Sequence, residues 1–177
     1  MIGHAHGIPG PRARLTSVRV VLDGIDLRRL MRLFPSGICV VSANVEGERV
    51  ATTIGSLVSL SLDPPLVGIS IGRDLALHEL LKTAGDFGVS ILRGDQAHVA
   101  QHFARGVPPL FLWDGVPVKD GATGAPLLAD ALAWIECRLW ERYDAGDHSI
   151  FVGEVVAVGE GEPGPGLVYR EHGYHAV

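Results

Sequence analysis

Hydroxyl side chains crowd the stretch Val50–Leu66, VATTIGSLVSLSLDPPL. Thr52, Thr53, Ser56, Ser59 and Ser61 are interleaved with apolar residues, and the run stops at Asp63-Pro64-Pro65. Strand side chains alternate between faces, so such a strand keeps one face apolar and offers hydroxyls and close backbone approach on the other. That suits a flat ligand with polar edges and a phosphate tail. A half-buried edge strand of a barrel presents the same pattern, because threonine packs well on a pleated surface. Asp147-His148 is the second place able to do chemistry. It sits at a turn leading into an apolar strand. There an imidazole can hydrogen-bond a ligand carbonyl or carboxamide while the neighbouring carboxylate orients the ring. The alternative is an ordinary polar turn.

Other chemistries find little footing. No G-x-G-x-x-G or Walker A sequence is present, so a nucleotide would need a different kind of site. There is no H-E-x-x-H motif, and the eight histidines are scattered. His172-Gly173-Tyr174-His175 is too sparse for a metal site, and no metal is expected. Ser56, Ser59 and Ser61 have no local base to make a nucleophile. Cys39 and Cys137 each lie in apolar alternating runs, which reads as buried thiols in a reducing compartment.

Composition bounds the partners. The chain has 177 residues, 47% hydrophobic and 20% charged, with a formal net charge of -5. One domain with a sizeable core is expected, without a nucleic-acid surface. No membrane span is visible. The start, MIGHAHGIPGPRARL, lacks the apolar core of a secretory signal, so the cytoplasm is expected. This Gly/Pro-rich start, carrying His4 and His6, reads as a tail or arm over 1–22, followed by a domain over 23–177.

The elements that must position these residues can be read from periodicity. Leu27, Leu30, Met31 and Phe34 share a helical face after Asp26, and Pro35-Ser36-Gly37 ends that helix. Ile38–Asn44 is an apolar strand, and Arg49–Leu62 is the hydroxyl-rich return strand, bent at Gly55. Glycine inside a strand points to a bulge or an approach by ligand or backbone. Leu66–Ile71 is a strand, Asp74–Ala84 a helix, Asp86–Leu92 a strand, and Gly94–Arg105 a short helix capped by Asp95. Gly106–Pro126 is a long loop with Phe111 and Trp113, expected as a lid, a binding loop or a subunit contact. Leu132–Tyr143 alternates clearly, Asp144–Asp147 is a turn, and Ser149–Val158 is a strand. Short strands at Leu167–Arg170 and Tyr174–Val177 close the chain. Many short strands with few helices indicate a β-barrel with helical connections.

Taken in order, these segments resemble the flavin reductase-like family, the reductase components of two-component flavin-dependent monooxygenases. The resemblance covers Ile25–Tyr174. It begins at Phe34-Pro35-Ser36-Gly37 and continues through Thr53-Ile54-Gly55-Ser56-Leu57-Val58-Ser59-Leu60-Ser61-Leu62-Asp63-Pro64-Pro65. Phe87-Gly88-Val89-Ser90-Ile91-Leu92, Phe103-Ala104 and Pro126-Leu127-Leu128 follow. Ala133-Trp134-Ile135-Glu136-Cys137, Gly146-Asp147-His148 and Val152-Gly153-Glu154-Val155 complete it.

The resemblance implies a mainly β fold, a split β-barrel of Greek-key type with short connecting helices, forming a homodimer. It implies an NAD(P)H-dependent reductase of FAD or FMN, with NADH ahead of NADPH, that supplies reduced flavin to a separate monooxygenase. Thr52, Thr53, Ile54, Gly55, Ser56, Ser59 and Ser61 would then contact flavin. Ile71-Gly72-Arg73-Asp74 resembles the phosphate-side loop, with Arg73 on a phosphate and Asp74 capping the next helix. Phe103 would pack beside the phosphate or adenine side, or simply anchor its helix. His148 would stand at the nicotinamide, and Tyr174 would be an aromatic near the groove or a barrel-end plug. Two rival readings share this scaffold: a flavoprotein with tightly held flavin reducing another substrate, and a non-enzymatic binder of flavin or a haem-type ligand.

Overall fold

The computed structural model describes residues 24–106 and 108–177. The expected tail, with His4 and His6, lies outside the described residues. Two compact units make up the chain, one ending at Met31 and the other covering Arg32–Val177. The first contributes helix α1 (Gly24–Met31). It stops short of Phe34, because proline at 35 disfavours helical backbone in the residue before it.

The second unit runs β1 (Ser36–Gly37), β2 (Cys39–Val45), β3 (Glu48–Ile54), β4 (Val58–Leu62), β5 (Pro65–Gly72), α2 (Ala76–Ala84), β6 (Asp86–Ile91), α3 (Ala97–Ala104), β7 (Val118–Asp120), β8 (Pro126–Leu128), β9 (Ala133–Ala145), β10 (His148–Glu160), β11 (Leu167–Arg170) and β12 (Gly173–Ala176). Seven strands form an antiparallel sheet in the order β3-β2-β6-β9-β10-β5-β4. β1, β11 and β12 make a small sheet, and β7 pairs with β8.

The chain is mainly β, as expected, but the large sheet is open rather than closed. The expected single strand Arg49–Leu62 breaks at Gly55 into β3 and β4, which occupy the two ends of the sheet. No ladder joins β3 to β5 among the described residues. Instead, the Ser56 hydroxyl donates to the Ser70 carbonyl and accepts from the Ser70 N–H, both at 3.1 Å. One side chain thus spans the gap that a closing ladder would have filled.

Period-two alternation sorts the core. On β2, Cys39, Val41 and Ala43 face a cluster built with Val67, Ile69, Ile71, Leu77, Leu81, Phe87 and Phe151. Val40, one step out of phase, joins Leu92, Phe103, Leu127, Leu128 and Trp134 on the other side. Fully burying one such large apolar side chain contributes about 1.5–3 kcal/mol. Burial in the first cluster pushes both thiols up to about 12, Cys39 by desolvation and Cys137 by desolvation aided by Glu136. Neither is a reactive nucleophile at neutral pH.

One expected feature near α3 differs. Asp95 does not cap that helix and instead pairs with Arg93 at 3.4 Å. Gln96 holds the helix start, accepting the Arg93 N–H at 2.8 Å and donating to the Asp130 carbonyl at 3.2 Å. The long Gly106–Pro126 segment is tied to two strands by side-chain hydrogen bonds. The Trp113 indole donates to the Arg49 carbonyl at 3.1 Å, and Thr123 donates twice to Glu136 at 2.8 Å. No helix among the described residues is long and apolar enough to cross a membrane.

Candidate active site

The hydroxyl run and His148, far apart in sequence, are brought together by the β5–β10 ladder. In that ladder His148 stands opposite Gly72 and Ser149 opposite Ile71. Thr53, Ile54, Gly55 and Ser56 form one wall of a cavity of about 290 Å³, and Ser70, Ile71, Gly72, Leu75 and His148 form the other. Leu75 also borders a second cavity of about 240 Å³, shared with Thr52, Asp74, Leu77, Phe103, Pro108 and Leu112. The two cavities share Leu75 as a lining residue. A larger hollow of about 350 Å³, between Arg93, Gln96, His98 and Asp130, shares no residue with either. Its guanidinium is already paired with Asp95 and its Gln96 amide is bonded on both sides, so the chemistry belongs to the first two.

The groove floor is kept bare by glycine. A Cβ on Gly72 would lie 2.8 Å from an Asp74 carboxylate oxygen and 3.8 Å from His148 Nε2. Gly55 answers to the protein itself: a Cβ there would come within 3.0 Å of the Ser36 side chain. A flat ring needs such a cradle, with backbone polar groups at its edge and apolar side chains at its faces.

His148 is half exposed and poised by its neighbour, Nδ1 lying 2.8 Å from the Asp147 carboxylate. That contact leaves Nε2 to face the cavity. The hairpin turn before it depends on Gly146, whose φ of 66° is the left-handed value such two-residue turns use.

Several expected contacts are otherwise engaged. Thr53 donates to the Ala100 carbonyl at 2.8 Å and Thr52 to the Phe103 carbonyl at 3.5 Å, tying β3 to α3. Both therefore present backbone, more than hydroxyl, to a ligand. Ser59 and Ser61 lie on β4, where Ser61 accepts the Asp63 N–H at 3.3 Å, and the cavity lining does not include them. Arg73 is not among the lining residues of either cavity. It pairs with Asp144 at 2.7 Å, bonds the Gly146 carbonyl at 3.4 Å and donates its backbone N–H to the Asp147 carbonyl at 3.0 Å. This guanidinium holds the Asp144 carboxyl below the usual carboxylate range; desolvation opposes the shift, and Ser149 and Arg142 reinforce it. Asp74 does not cap α2, whose N-cap is Leu75 without a side-chain bond. Phe103 is buried but borders the second cavity, packed against Trp113 at 5.1 Å. Tyr174 packs edge-on against Tyr169 at 5.0 Å in the small sheet, where burial raises its phenol above the ordinary value.

Sequence reasoning misses Ser70, Gly72 and Leu75 as the facing wall. The signal is there in principle, since Ile71-Gly72 is the partner that the strand starting at His148 meets in its antiparallel ladder. Among the described residues, no group of three His, Cys, Asp or Glu side chains gathers to hold a metal ion.

Known proteins similar to this chain include flavin reductases and reductase components of monooxygenases. The chain is 41% identical over 137 residues to the NADH-dependent FAD reductase of Streptomyces globisporus, covering 76% of this chain and 75% of that protein. It is 41% identical over 144 residues to the reductase component of 4-hydroxyphenylacetate 3-monooxygenase from Thermus thermophilus, covering 81% and 90%. The crystal structure of BorF, the flavin reductase component of a bacterial two-component tryptophan halogenase, superposes with a TM-score of 0.82 at 41% identity, over 88% of this chain and 98% of that one. The sequence profile of the flavin reductase like domain matches residues 31–177, and the chain belongs to that family.

Proposed function

We propose that this protein is an NADH:flavin oxidoreductase that passes hydride to FAD or FMN and releases reduced flavin to a separate monooxygenase. The observation that carries the proposal is the single cavity joining Thr53–Ser56 to His148 across Gly72. The backbone of Thr53–Ser56 would hold the ring edge, and the second cavity, with Phe103 and the start of α2, would take the chain beyond the ring. Bound flavin supplies the hydride acceptor.

The residues of this chain supply alignment. His148 Nε2, with Asp147 fixing the ring, would hydrogen-bond the nicotinamide carboxamide, and hydride transfer needs that orientation rather than a proton acceptor. Dependence on NADH fits work in the cytoplasm. Steady-state oxidation of NADH and of NADPH, with FAD, FMN or riboflavin supplied in turn, tests the reading. NADH oxidation should rise with added free flavin, and no dependence on added flavin would reject it.

The homodimer implied by the family would bring a second copy of the chain against the flavin groove. Val58, Leu60 and Leu62 leave the edge strand β4 with an exposed apolar face, Leu62 being 88% exposed. Sedimentation should give twice the 18.8 kDa chain mass, and Leu62→Asp should shift the population toward monomer. A monomeric wild type would remove the dimer.

A further inference from the structure

His78 is a histidine that the hydride-transfer scheme leaves unused. It lies on α2 with 2% of its surface exposed, its ring edge-on to Phe151 at 5.5 Å. Both ring nitrogens are engaged. Nδ1 lies 3.1 Å from a Glu79 carboxylate oxygen, and Nε2 lies 2.9 Å from the Ser149 hydroxyl. Ser149 is fully buried and donates to Asp144 at 3.2 Å. Asp144 in turn grips Arg73 at 2.7 Å, and Arg73 holds the Gly146 and Asp147 carbonyls of the turn that carries His148. A hydrogen-bonded chain thus runs from Lys82, 2.6 Å from Glu79, to the base of the nicotinamide-side histidine.

The direction of each bond fixes the proton count. A carboxylate only accepts, so Asp144 takes the single Ser149 proton. Ser149 must then accept from His78, which requires a proton on Nε2. Glu79 also only accepts, which requires a proton on Nδ1. The Glu79, Ser149 and Asp144 contacts are all hydrogen bonds at once only when both ring nitrogens carry protons, and the roles of those nitrogens depend on the tautomer. Lys82 and then His78 hold that carboxyl below its usual range. Loss of one proton leaves either a lone pair facing Glu79 or a Ser149 hydroxyl turned from Asp144 toward the ring.

We propose that His78 is a positioning residue for the reductase: as an imidazolium it fixes the Ser149–Asp144–Arg73 chain, and so sets the turn that presents His148 to the reductant. This rests on the assignment of His148 to the nicotinamide. The charged groups around His78 are Glu79 and Lys82 on its own helix, Asp144 with Arg142 on β9, and Arg73 at the end of β5. Asp147 and His148 immediately precede Ser149 in the chain.

The test uses the full chain with FAD and NADH. Histidine-selective ¹⁵N spectra follow the His78 ring nitrogens across pH, and the KM for NADH is measured over the same range. In the wild type, KM should rise as His78 loses its proton, by about three- to tenfold for one lost hydrogen bond. Ser149→Ala, which removes the link with little change in volume, should show the raised KM at all pH values with flavin affinity unchanged. His78→Gln, which can donate but carries no charge, should flatten the profile. A wild-type KM that does not follow the His78 titration overturns the proposal, as does a Ser149→Ala profile identical to wild type. The latter would assign the titration to His148. If the wild type does not oxidise NADH with flavin, the reductase reading fails instead, and the His78 spectra still report whether the imidazolium exists.

Discussion

Ser56→Phe should weaken flavin binding by at least about tenfold, or 1.4 kcal/mol, while the chain remains folded. Ser56 stands on the cavity wall opposite His148, so an aromatic ring there would fill the space assigned to the ligand. The residue also bridges β3 to β5 through both polar groups of Ser70, so the phenylalanine variant loses that link as well. Ser56→Ala separates the two effects. It breaks the bridge but leaves the cavity open, and should cost about 1–3 kcal/mol of stability with flavin affinity near wild type. Flavin fluorescence titration and denaturant unfolding of both variants measure these quantities. Equal dissociation constants for Ser56→Phe and wild type, in two folded proteins, would remove this wall from the site.

The second large effect concerns His148. His148→Ala should raise the apparent constant for NADH or slow hydride transfer by about three- to tenfold, the loss of one positioning hydrogen bond of about 0.5–1.5 kcal/mol. Flavin affinity should stay nearly constant, because the backbone of Thr53–Ser56 lies across the cavity from His148. Stopped-flow reduction of bound flavin at several NADH concentrations separates binding from chemistry. A variant matching wild type in both would leave His148 as an ordinary turn residue and move the nicotinamide contact elsewhere in the groove.

Much of this site is legible in the amino-acid sequence. Apolar content locates β2 and β6 closely, because both of their faces are largely buried, and alternation locates β9, although β9 has no buried residue after Cys137. Thr53 and Ser56 of the hydroxyl run and His148 of the Asp147-His148 turn line one cavity. Pairing across long sequence separations is not legible. Arg73 is expected at a phosphate from the resemblance, and the partner it meets here, Asp144 at 2.7 Å, is 71 residues away in sequence and comes beside it through the β5–β10 pairing. Thr52 and Thr53 look like ligand donors until α3 packs its carbonyls against them. His78 and Ser149 are 71 residues apart, and nothing in either neighbourhood announces the other. The break of the long hydroxyl strand at Gly55 shows in the sequence as a bend. Its consequence, β3 and β4 at opposite ends of the sheet with Ser56 between them bonded to β5, depends on where β4 and β5 lie.

Whether flavin is a diffusible substrate or a fixed group decides the central claim. The direct measurement is anaerobic reduction by NADH of free flavin present in large molar excess over protein, followed by the loss of flavin absorbance. The account predicts that the whole flavin pool bleaches at a rate proportional to protein concentration. Bleaching that stops at one equivalent of flavin per chain would contradict it and leave a flavoprotein that keeps its flavin.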